Sequence, residues 1–165
     1  MALSSFAALW FLPFVLPVCF YVSWTDLAYM KITNKAVTVL AVIFVVLGPF
    51  VLDGFTVYLW QLAQLVIVLL AGIALNAVGA FGAGDAKFAA AAAPYVVLQD
   101  AIVVAVIFAV MMVAALAAHR LVRASRLRNL APGWKSWDAG NKFPMGLALG
   151  PTLALYLCLA ALNGA

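Results

Sequence analysis

VYLWQLAQLVIVLLAGIALNAVG, running from Val57 to Gly79, carries no charged side chain. A helix needs about 20 mostly apolar residues, with a range of about 17–25, to cross the hydrocarbon core of a bilayer. This stretch meets that length by itself. Phe6–Trp24, Ala36–Leu52, Ala101–Ala118 and Pro144–Leu162 meet it too. A further stretch, Ala86–Leu98, is short, contains Pro94 and is followed by Gln99-Asp100. Composition agrees: of 165 residues, 69% are hydrophobic and 8% charged, against roughly a quarter charged in an ordinary soluble domain. A soluble fold of this length could not cover so much apolar surface. The expected fold class is all-α: a polytopic membrane helix bundle forming a single integral membrane domain over residues 1–165.

The net charge of +4 is unevenly placed. Lys31 and Lys35 lie between the first two segments, and Lys87 lies just after the third. Arg120, Arg123, Arg126, Arg128, Lys135 and Lys142 lie between Ala101–Ala118 and the last segment. The opposite loops, around Asp53-Gly54 and Gln99-Asp100, have no Lys or Arg. The positive-inside rule puts the three basic loops in the cytoplasm. Lys87 and Arg120 share that side only if the chain crosses twice between them, or dips in and returns. The expectation is therefore about six segments, the fourth short or re-entrant, with both termini outside the cytoplasm. Phe6–Trp24 reads as a permanent membrane helix, because a cleavable signal opens with basic residues and the first Lys here is Lys31. The basic residues fit orientation and contact with anionic lipid, and no nucleic-acid partner is expected. Trp134 and Trp137 suit the interface. His119, the one histidine, is expected as an interfacial residue at a helix end. Cys19 and Cys158 lie in apolar segments without CxxC or Cys/His clustering, so neither a metal nor another cofactor is expected.

All five acidic residues are Asp. Asp26 follows the first segment. It is either an exposed end-of-helix carboxylate or, if the helix continues, a group on the face of Cys19, Val22 and Ser23. Asp85 ends Gly82-Ala83-Gly84-Asp85 and precedes Ala86-Lys87. It is either the N-cap of a helix starting at Ala86 or a functional carboxylate in a glycine turn that another chain can approach closely. Topology puts both aspartates at one membrane boundary. Two carboxylates brought together tend to share one proton. The charged member can then take a proton from water while the protonated member polarises a carbonyl, which is aspartic-peptidase chemistry. Asp53 and Asp100 are on the wrong side, and Asp138 reads as a surface ion-pair partner near Lys135 and Lys142.

Gly82-Ala83-Gly84-Asp85-Ala86-Lys87 resembles the GxGDxK motif of the type IV prepilin peptidases, a family of membrane aspartic peptidases. The stretch from Asp26 to Asn34 resembles that family's first motif, and Phe143-Pro144-Met145-Gly146 its Pro-Tyr-Gly entry to the last helix. Ala28 stands where the family often has Arg, Thr33 replaces Pro and Met145 replaces Tyr, departures that bear on substrate contacts and loop shape. The chain is similar to the short members associated with Flp/Tad-type pili. It carries no paired CxxC motifs, so methyltransferase activity is not expected.

The resemblance implies an endopeptidase of the bacterial inner membrane. It would cut the short basic leader from a prepilin, on the cytoplasmic side and just after a glycine. Asp26 and Asp85 would form the catalytic dyad, Gly82 and Gly84 would shape the loop, and Lys87 would orient the site or meet lipid phosphate. Two rivals share the features: a presenilin-like GxGD intramembrane protease, and a non-catalytic assembly subunit of a pilus or secretion system. A Thr, not a Tyr, precedes Asp26, and the chain is short for a nine-helix fold. A small transporter fits less well, since the middles of the segments are nearly free of charge.

Overall fold

A computed structural model describes residues 1–140 and 142–164; Asn141, in the long basic loop, and Ala165 lie outside the described residues. Among the described residues the chain is all-helical, with α1 (Ser5–Tyr29), α2 (Asn34–Val51), α3 (Phe55–Ala77), α4 (Ala83–Ala92), α5 (Ala101–Ala124) and α6 (Gly146–Asn163). Five helices are long and apolar enough to cross a membrane; α4 is the one that is not. Side chains as large as Phe50 are 81% exposed, which water would penalise and lipid does not. The protein is a multi-pass membrane helix bundle.

Local chemistry sets the helix ends. Ser4 caps α1, accepting from the Ala7 amide at 3.2 Å. Thr33 caps α2 in the same way, accepting from Ala36 at 3.3 Å, so the residue that replaces the family's Pro supplies the helix start itself. Met30 closes α1 in the left-handed region, at φ 53°. Two helices outrun their apolar stretches: α1 continues past Trp24 and takes Asp26 into its last turn, and α5 continues past Ala118 to Ala124 through the first arginines of the basic loop.

The fourth segment crosses the bundle without being one continuous helix. Pro94, which has no amide hydrogen to offer, follows the end of α4 in a 3-10 turn over Ala93–Tyr95, and a second such turn covers Leu98–Asp100. The arm beyond Ala86 runs from the Asp85 end of the molecule to the opposite end. There the Asp100 carboxylate accepts from the Ala2 amide at 2.8 and 3.0 Å, from the Leu3 amide at 3.3 Å and from the Tyr156 hydroxyl at 3.0 Å. Irregular backbone is tolerated at membrane depth only where protein surrounds it. Here the Tyr95 hydroxyl donates to the Leu40 carbonyl at 2.7 Å, and the Val97 amide donates to the Tyr156 hydroxyl at 3.4 Å.

Packing divides the bundle along its length. α1 lies along α6 and α2, α5 lies on α6, and α4 rests on α3 and α2. Small residues set the closest approaches, as is usual between membrane helices. A Cβ on Gly150 would lie 2.6 Å from the Cys19 carbonyl oxygen, and one on Gly72 would lie 2.9 Å from the Ala86 Cβ. Around Tyr95 the aromatic rings interlock, with centroids 4.9 Å to Phe11 and 5.3 Å to Phe44. The Asp100 cluster fastens the end of the bundle opposite Asp85. Asp100→Ala therefore strands the buried Leu3 amide, the part-buried Ala2 amide and the Tyr156 hydroxyl, and is expected to cost about 2–3 kcal/mol. Reversible unfolding in mixed micelles measures this; a stability unchanged from the parent would rule out the clamp.

Candidate functional site

Asp26 is 5% exposed, in the last turn of α1. The alternative of an exposed carboxylate at a helix end is thereby corrected: the helix continues and α6 covers the side chain. The Gly146 amide donates to Asp26 Oδ2 at 2.6 Å. Gly146 is the first residue of α6, so the carboxylate sits where unpaired amides and the helix dipole favour negative charge. Only glycine lets the chains come so close, because a Cβ at position 146 would lie 2.9 Å from Asp26 Cβ and 3.0 Å from Oδ2. Ser23 fixes the same junction, with its hydroxyl within 3.1 Å of the Gly146 carbonyl and 3.0 Å of the Cys19 carbonyl.

Asp85 does not cap a helix starting at Ala86. α4 begins at Ala83 behind an N-cap at Gly82, with no side-chain cap bond, and Asp85 lies in the first turn. Its side chain folds back over Gly82, where a Cβ would collide with the carboxylate, and the Gly84 backbone lies against Ile32. Both glycines act by being absent side chains, one making room for Asp85 and the other for the strand of chain that follows Asp26. The turn before them is held by Asn76, whose amide donates to the Phe81 carbonyl at 2.7 Å, and Gly79 adopts φ 74° there. Lys87 Nζ donates to Asn34 Oδ1 at 3.1 Å and so ties α4 to the start of α2.

Asp85 lies close enough to Asp26 to feel its charge. It sits at the mouth of the bundle, outside the five long helices. Burial, and after it the negative charge of Asp26, push its carboxyl up to about 6. Repulsion of this kind makes full ionisation of the two carboxylates harder than for either alone.

Residues 13–118 match the model of the type IV leader peptidase family, and that span contains both Asp26 and Asp85. The chain belongs to this family. Peptide-bond hydrolysis is therefore its reaction class. No curated protein and no solved structure matches the chain significantly. The family match ends before Gly146, so the amide that holds Asp26 is assigned by the geometry alone.

Elsewhere this leader peptidase family member departs from the sequence expectations in one place. His119 is buried instead of interfacial: it stacks on Trp137 with centroids 5.1 Å apart and meets the edge of Phe143 at 6.0 Å. Asp138 forms the surface ion pair expected of it, with Arg128 as the partner at 2.8 Å. Asp100 belongs to the clamp at the far end and has no part in this site. The sequence reading did not single out Ser23 or Asn76 for these roles. Hydroxyls and amides inside apolar helices were the available signal.

Proposed function

We propose that this leader peptidase family member is an aspartic endopeptidase that removes the short basic leader from Flp or type IV pilin-like precursors. In this reading Asp26 and Asp85 activate one water. The ionised carboxylate takes a proton as the water attacks the scissile carbonyl, and the protonated one donates to the carbonyl oxygen. A proton then passes to the departing amine, leaving one proton on the pair for the next turnover. The observation that carries the reading is the Asp26 carboxylate, buried and held by the Gly146 amide within electrostatic reach of Asp85.

Placement of Lys and Arg supports a cytoplasmic position for the Asp85 end, in the bacterial inner membrane. The leader would approach from that side. The apolar segment that follows it has a matching path, an open groove of about 430 Å³ between α3 and α5. The groove runs from Phe81, just before Asp85, to Leu98 near the far end. It is walled by Gln64 and Val68 of α3 and Phe108 of α5, with Ala92 of α4 in its floor. A helix lying there would present its leader junction to the first turn of α4.

The test is reconstitution of the purified chain in liposomes with a panel of prepilins and unrelated single-span membrane proteins. Prepilins should shorten by the leader, with the new terminus just after a glycine, and the unrelated proteins should stay intact. Binding without shortening would favour an assembly subunit, and cleavage of the unrelated proteins within their spans would favour the presenilin-like alternative.

A further inference from the structure

The loop between α5 and α6 folds back over the end of α5 and borders a second, open cavity of about 310 Å³. Its walls hold Arg120 and Arg123 of α5 together with Arg128 and Lys142 of the loop. Arg128 is neutralised by Asp138, the one ion pair among the described residues. Arg123 uses a guanidinium N–H on the Gly140 carbonyl at 3.1 Å and keeps its charge. Arg120, Arg123 and Lys142 thus surround the cavity with no carboxylate to balance them.

His119 lines the same cavity. It is 6% exposed, and its Nε2 has no hydrogen-bond partner among the described residues. That nitrogen has almost no accessible surface, so the imidazole serves as part of the wall, packed on Trp137 and Phe143. Orientation in the membrane requires only that basic residues lie on one side. It does not require them to converge on a cavity.

We infer that this cavity binds the phosphate of an anionic phospholipid headgroup, with Arg120, Arg123 and Lys142 supplying the charge. The neighbouring surface favours a lipid over a free anion. Leu121, Leu127 and Leu130 are exposed among the arginines, and Leu116 of α5 forms part of the wall. A headgroup in the cavity would therefore have its acyl chains against an apolar helix. A basic leader peptide would be repelled by the same residues. The inference stands apart from the proposed reaction. Phe143, in the cavity wall, nevertheless belongs to the short stretch leading into Gly146, so an occupant would brace the start of α6.

Native mass spectrometry of the detergent-purified chain provides the test, with dioleoyl phosphatidylglycerol, dioleoyl phosphatidylcholine and inorganic phosphate as probes. One equivalent of phosphatidylglycerol should be retained in preference to phosphatidylcholine. Arg120→Gln combined with Lys142→Gln should weaken retention about 10- to 30-fold, two near-surface charges being lost. His119→Phe, which keeps the ring stack, and Arg126→Gln, outside the cavity, should both leave it unchanged. Equal retention of the two lipids would overturn the inference, as would an equal loss in the Arg126 variant. Displacement of the lipid by equimolar inorganic phosphate would overturn the lipid assignment. Because both double-variant positions are exposed, folding is not at stake there, and binding is read without any cleavage step.

Discussion

Asp26→Asn and Asp85→Asn should each eliminate leader removal while leaving the chain in the membrane at its normal level. Asparagine is nearly the same size as aspartate but can neither take a proton from water nor return one. General acid–base catalysis is worth about 10²–10⁴-fold, enough to push processing below detection in a gel-shift assay of a co-expressed prepilin. Folding should survive, because an amide oxygen at position 26 still accepts from Gly146, and Asp85 makes no side-chain cap bond to lose. Since the pair would act as one unit, the double variant should be no worse than either single one. Normal processing in either single variant would remove the dyad from consideration.

Gly146→Ala should lower kcat by about 100-fold without touching either carboxylate. The added methyl would sit 2.9 Å from Asp26 Cβ and 3.0 Å from Oδ2. Something must shift: α6 must start farther from α1, and the 2.6 Å bond from the Gly146 amide must lengthen. A displacement of about 1 Å at a reacting group costs about 100-fold in rate. KM should change little, because the groove assigned to the substrate does not include Gly146. Gly133→Ala is the control, since a Cβ there meets nothing within 4 Å. Equal kinetics for the Gly146 variant and the parent would show that the amide does not position Asp26.

The membrane class and the long segments were legible because lipid imposes a simple rule, an unbroken apolar run of fixed length. The ends of those segments were not, because other contacts set them. Thr25 and Asp26 end an apolar run, yet they remain helical, since Val22 accepts from the Thr25 hydroxyl at 3.2 Å and Gly146 satisfies Asp26. The fourth segment was ambiguous for a related reason. Its length suits neither a full helix nor a loop, and the structure completes the crossing with two 3-10 turns, supported by the first turn's own Tyr95 and by Tyr156 of α6. Both aspartates, Gly82 and Gly84 could be picked out from the motifs that contain them. The Gly146 amide could not, because a backbone donor leaves no side-chain signature. The burial of His119 was hidden as well, since it depends on Trp137 folding back from a loop that hydropathy leaves undefined.

The closest approaches in the bundle separate the two carboxylates. Asp26 is carried by α1, which is locked to α6 through Gly150 and Ser23. Asp85 is carried by α4, which is seated on α3 through Gly72 and tied to α2 through Lys87. The two carboxylates thus come from different helix pairs, which the buried rings of Phe11, Phe44 and Tyr95 join to one another. A bilayer too thin or too thick for the bundle would bear on that junction without altering a single residue. If the two carboxylates act as proposed, membranes of graded acyl-chain length should alter the rate of leader removal, which reconstitution in such lipids would measure.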